Sequence, residues 1–206
     1  MNMKLKKLLK VIVLSLLLLF VFIAATEGPK SGGTFSNDSS NSGDFAWVNP
    51  SNAGSSDDVY ATVTENFAGL SHYLKATNFN FSSVSGTVDG IVVEVEKKRI
   101  TGTGYDGEVL LVKNGTIQGN NLGTTDLWPL TESYVTYGST IEKWGLTWTA
   151  SDITASNFGV VISYQGETAT SAKIDHIRIT VYYTVALTGK HYRIFGDAGN
   201  IEELRR

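Results

Sequence analysis

From Phe45 onward the chain runs in short stretches where apolar and polar residues alternate with period two, the pattern of half-buried β-strands. Across residues 91–98, Ile91, Val93 and Val95 share one face while Val92, Glu94 and Glu96 share the other. Residues 158–165 place Phe158, Val160, Ile162 and Tyr164 together. Residues 175–183 turn Ile177, Ile179, Val181 and Tyr183 inward and His176, Arg178 and Thr180 outward. Three such strands so far apart in sequence require long-range pairing. Residues 107–113 and 116–118 flank Asn114-Gly115, a dipeptide suited to the positive φ angles of a type I′ turn, and so predict a hairpin. Weaker strand patterns cover residues 45–48, 58–64, 71–81 and 133–137. No stretch beyond the leader carries a long helical stripe; residues 151–157 predict a single turn capped by Ser151 or Asp152. The pattern therefore predicts an all-β fold, a two-sheet antiparallel sandwich of jelly-roll type over residues 45–184.

The chain's first 25 residues read differently. Lys4, Lys6, Lys7 and Lys10 precede an apolar run from Val11 to Ala25 that only Ser15 interrupts, the layout of a secretory signal peptide with cleavage expected after Ala25. An uncleaved membrane anchor is the alternative, since residues 8–25 nearly span a bilayer. Both readings send the remainder out of the cytoplasm. Residues 26–44 are rich in Gly, Ser and Asn and predict a flexible linker, and residues 185–206 form a C-terminal extension with its own short apolar run at Tyr192, Ile194 and Phe195.

Charge and cysteine content narrow the chemistry. The leader holds four lysines and no acid, so its removal takes the net charge from −3 to −7 and disfavours nucleic acid as a partner. There is no cysteine, which excludes disulfides, thiolate metal sites and cysteine nucleophiles. Histidine occurs at His72, His176 and His191 alone, without zinc-binding spacing or a nucleophile signature, and surface positions are expected for all three. Glu94 and Glu96 share a strand face, which meets part of what a glycosidase's paired acids require, but an amphipathic strand's solvent side explains them better. The sequence thus predicts a protein that is not an enzyme.

Two constellations remain. Asp57-Asp58 precedes an early strand and Asp175 opens the last one; if those strands are neighbours, the three acids could share a structural calcium ion. Tyr105, Trp128, Tyr134, Tyr137, Trp144 and Trp148 offer aromatic faces for stacking on sugars, with Gln118, Asn120, Asn121 and Asp126 as hydrogen-bonding neighbours; core packing is the competing account. Asn37, Asn80 and Asn114 lie in N-x-[ST] acceptor sequences, with Asn114 explained by its turn.

Trp47-Val48-Asn49-Pro50 with Asp57-Asp58, Gly90-Ile91-Val92-Val93-Glu94-Val95, Trp144-Gly145-Leu146-Thr147-Trp148-Thr149, Asn157-Phe158-Gly159-Val160 and the stretch from Ile174 to Tyr183 together resemble a secreted or phage-associated sandwich module. The Asp-led final strand is similar to those that close carbohydrate-binding-module sandwiches. The resemblance covers residues 45–184 and implies a surface, appendage or virion component that adheres to a glycan or cell-surface polymer; it transfers no binding residue. A secreted carbohydrate-active enzyme and a self-associating subunit that polymerises through its C-terminal extension are the alternatives. Membrane contact is expected only through an uncleaved N-terminal segment.

Overall fold

The computed structural model describes residues 21–187, 192–194 and 201–203. Most of the expected signal segment, and His191, lie outside them. The chain divides into two compact units, Ala24–Thr184 and the chain ends Met1–Ile23 with Val185–Arg206. Among the described residues no helix is long and apolar enough to cross a membrane.

The strands are β1 (Val21–Ser31), β2 (Thr34–Asp38), β3 (Ala61–Glu65), β4 (Gly69–Leu70), β5 (Tyr73–Thr77), β6 (Thr87–Thr101), β7 (Gly104–Lys113), β8 (Thr116–Gln118), β9 (Ser133–Gly138), β10 (Gly159–Gly166), β11 (Thr170–Leu187), β12 (Tyr192–Ile194) and β13 (Ile201–Glu203). Eleven of them make two antiparallel sheets. One runs β1-β11-β6-β9, with β3 also pairing β11; the other runs β2-β5-β10-β7-β8, with β4 also pairing β10. The all-β sandwich is therefore as the alternation predicted. Ile91, Val93 and Val95 of β6, Val160 and Ile162 of β10, and Ile177, Ile179 and Val181 of β11 are fully buried between the sheets. Outside the sandwich unit, β12 and β13 pair with each other, Tyr192 opposite Glu203. Truncation after Thr184 is expected to leave a folded, soluble sandwich; loss of the β-sheet signal in circular dichroism would make the extension part of the core.

Several local expectations shift. The segment 26–44, expected as a linker, holds most of β1 and all of β2. Order there comes from hydrogen bonds rather than apolar burial, which composition does not reveal. The Glu27 carboxylate accepts the backbone N–H groups of Ser82, Ser83 and Val84 at 2.8–3.3 Å. Asn37 Oδ1 accepts Trp47 N–H at 2.8 Å, and Asn41 Nδ2 donates to Ser71 O at 2.9 Å. Residues 45–48 form only isolated bridges, Phe45 with Ser71 and Val48 with Thr62. The predicted helical turn is α1 (Ala150–Thr154), capped by Thr149, two residues before the earlier of the two expected caps: Thr149 and Asp152 bond each other's backbone N–H reciprocally. The hairpin turn is as predicted, with φ of 53° at Asn114 and 81° at Gly115.

Candidate functional site

The aromatic set does not make a platform. Trp128, Tyr137, Trp144 and Trp148 are buried, so four of the six rings fill the sandwich instead of offering a face to a sugar. Polar ring atoms are satisfied inside: Trp144 Nε1 donates to Ile91 O at 3.0 Å and Trp148 Nε1 to Lys143 O at 3.0 Å. Tyr105 and Tyr134 are half-buried. Tyr134 stands on the outer face of the β1-β11-β6-β9 sheet beneath the Arg178 guanidinium, 4.0 Å from its ring centre, and Arg178 forms a bidentate pair with Glu94 at 2.9 Å. That pairing occupies the charges for which the alternation predicted simple solvation. His176, expected at the surface, is 9% exposed: Nδ1 lies 2.7 Å from Tyr134 Oη and Nε2 2.7 Å from Ser31 Oγ. Burial, then Arg178, pushes its pKa below the ordinary histidine value. His72 is half-buried, with Nδ1 2.9 Å from Asn37 Nδ2.

The acidic cluster does form, with one member exchanged. Carboxylate oxygens of Asp58, Glu132 and Asp175 lie within 4.8 Å of one another. Asp57 stands outside that trio because its carboxylate turns back on its own loop, accepting Ser55 Oγ and Val59 N. Its backbone N–H and that of Asp58 instead donate to Asp175 Oδ2, at 3.1 and 3.2 Å. Asp175 is 1% exposed, and its other oxygen, Oδ1, is buried with no hydrogen-bond partner. Burial foremost, with the negative charge of Glu132 and Glu96 added, raises its pKa above the usual carboxylate value. Glu132 enters from the loop before β9 and is held by Lys98, with Nζ 2.9 Å from Oε2. Sequence reading missed Glu132 because nothing local ties that loop to residue 175.

A further surface was not anticipated. On the β2-β5-β10-β7-β8 sheet, Val161 pairs with Lys75 on one side and Leu110 on the other, Ile117 with Val112, and Asp38 with Tyr73. Since Val160 and Ile162 face the core, this row faces outward. Tyr73, Val112 and Val161 are themselves buried on that side, covered by their neighbours, with the half-buried Leu110 and Ile117 packed against them. Polar groups surround them. The Tyr73 hydroxyl donates to Glu108, and Lys75 Nζ meets Asp38 Oδ2 at 3.0 Å. Burial and then Glu108 push the Tyr73 hydroxyl well above its ordinary pKa, so it stays a donor. The sequence did carry a signal: Val109-Leu110-Leu111-Val112 and Val160-Val161-Ile162 interrupt the alternation, and an uninterrupted apolar run in a two-layer sandwich puts apolar groups on both faces.

No family model and no curated protein matches this chain. Among solved structures it is similar to a CBM4 module, at 15% identity and a TM-score of 0.38 over 67% of this chain and 75% of that one. It is also similar to a CBM22-1 xylan-binding domain from Paenibacillus barcinonensis (8% identity, TM-score 0.37, 76% and 92% covered). A third is a family 29 carbohydrate-binding module from Piromyces equi (15%, 0.34, 76% and 90%). These likenesses are to the sandwich architecture.

Proposed function

We propose that this chain is a noncatalytic extracellular module, acting as a surface, appendage or virion component, that binds a glycan on the outer face of its β2-β5-β10-β7-β8 sheet. The observation that carries this reading is the composition of that face. Leu110 and Ile117, half-buried over the covered Val112 and Val161, suit the C–H side of a sugar ring, while Glu108, Lys75 and Asp38 around them suit its hydroxyls. The test is a glycan array on the labelled protein, followed by titration of any ligand against Leu110→Lys and Glu108→Gln. Each substitution is expected to weaken binding about tenfold or more, a loss of roughly 1.4 kcal/mol. Undiminished affinity in both variants would refute this face.

We also propose that Asp58, Glu132 and Asp175 hold a structural calcium ion. Support comes from Asp175 Oδ1, a buried oxygen without a partner beside two further carboxylates. Calcium takes oxygen ligands at about 2.3–2.6 Å, so ligands on opposite sides sit up to about 5 Å apart, and the observed spread fits that span. The bound ion would supply positive charge that offsets the three carboxylates; the protein's residues orient it through the Asp57 and Asp58 amides that fix Asp175.

A further inference from the structure

The sandwich interior holds a pair of charges that neither the glycan face nor the acidic cluster uses. Lys97 points inward from β6 of one sheet and Asp106 inward from β7 of the other, with Nζ 2.5 Å from Oδ1 and side-chain exposures of 2% and 1%. The ammonium sits 4.3 Å from the centre of the Trp128 ring and 5.1 Å from that of Tyr137. Each carboxylate oxygen is met by donors: Trp128 Nε1 reaches Oδ1 at 2.8 Å, Thr124 N reaches Oδ2 at 3.0 Å, and the Tyr137 hydroxyl lies 3.0 Å from both. Lys97 Nζ in turn donates to the Tyr137 oxygen.

We propose that Lys97 and Asp106 condense spontaneously into an intramolecular isopeptide bond that joins the two sheets through the core. The Nζ lone pair forms a bond to Asp106 Cγ, one Cγ–O bond breaks, and the departing oxygen takes two protons from the ammonium and leaves as water. Ammonium and carboxylate thus become a neutral secondary amide plus one water, with no oxidant, reductant or further reactant.

Several features of the site favour the step. The reacting groups are held in contact by packing on both sheets, so the reaction proceeds within one chain at a high effective concentration. Trp128 Nε1 and Thr124 N already point at the carboxylate oxygens, where negative charge develops in the tetrahedral intermediate. The Tyr137 hydroxyl bridges nitrogen and carboxylate and gives the proton a path from one to the other. Attack needs a neutral amine, and burial lowers the Lys97 pKa to about 8 despite the opposing pull of Asp106. Product formation also removes two charges from a dry interior, where each is costly to desolvate. The resulting amide keeps a carbonyl oxygen to accept the Trp128 or Thr124 donor.

The deciding measurement is mass spectrometry of the full chain, unfolded and digested with trypsin, after incubation at pH 8. A branched peptide joining the Lys97 and Asp106 segments, lighter than their sum by one water, is expected. Asp106 is followed by Gly107, and a succinimide at that step would also lose one water. Lys97→Arg separates the two, because arginine keeps the charge but a succinimide does not need Lys97. The proposal holds if the branched peptide is present in the unaltered chain and the water loss vanishes in Lys97→Arg. It is overturned if both segments appear as unmodified linear peptides in the unaltered chain, or if the water loss persists in Lys97→Arg without a branched peptide. The unaltered chain decides the matter even if Lys97→Arg fails to fold.

Discussion

Chelation of divalent cations is expected to lower the melting temperature of this protein. An ion bound only by the folded chain stabilises it by mass action, and at a hundredfold excess over Kd the gain is about 2.7 kcal/mol, or roughly 5–10 °C for a domain of this size. The source of the effect is Asp175. Its Oδ2 is held by two loop amides, which fix the carboxylate beside those of Asp58 and Glu132, and its Oδ1 is buried with no hydrogen bond of its own. Replacing Asp175 by Asn would preserve the shape while removing the charge that a hard cation needs. Melting curves of the unaltered protein in excess calcium and in chelator should therefore separate, and those of Asp175→Asn should coincide. Superimposable curves for the unaltered protein would eliminate the site.

The elements legible in the sequence were those whose burial is one-sided. β6 and β11 alternate cleanly because each lies between the core and solvent, and their inward residues lie where the pattern put them. Even there the outward face was misjudged, since Glu94 is tied to Arg178 across the sheet and His176 is covered by Tyr134 and Ser31. β1 and β2 were illegible because their order rests on Glu27, Asn37 and Asn41 bonding to backbone dozens of residues away. A Gly-, Ser- and Asn-rich composition describes a tether and such a lattice of hydrogen bonds equally well.

Candidate sites were legible by residue type and not by placement. Aromatic residues clustered in sequence from Trp128 to Trp148 are drawn into the interior, where Trp128 packs edge-on against Tyr164 at 4.7 Å and Trp148 against Phe158 at 5.5 Å. Large rings bury the most area, and a two-sheet core with no disulfide has reason to keep them. The acids Asp58 and Asp175 do meet, as the nearness of first and last strands suggested, through pairing of β3 with β11. Glu132 joins them across a distance that only the fold sets.

Glu65→Gln is expected to stabilise the protein at pH 8 and to remove the loss of stability that Glu65 causes as pH rises from 5 to 8. Glu65 ends β3 on the core side, 1% exposed, and neither carboxylate oxygen has a hydrogen-bond partner. It packs against Gly166 so closely that a Cβ there would lie 1.9 Å from Oε2. Burial pushes its pKa from 4.5 up to about 8. Between those values the folded chain holds a proton that the unfolded chain has released, so stability is full below pH 4.5 and falls as pH rises toward 8. The slope approaches about 1.4 kcal/mol per pH unit and ends above the folded pKa. Lys97, lowered to about 8 from 10.5, is unaltered by the substitution and begins to titrate differently between the two states only near the top of that window. Glutamine keeps the size and loses the ionisation. Urea melts of both proteins at pH 5 and pH 8 measure this directly: equal stability losses across the interval would mean that Glu65 ionises as freely folded as unfolded, and its burial would then have to be relieved by water reaching the carboxylate.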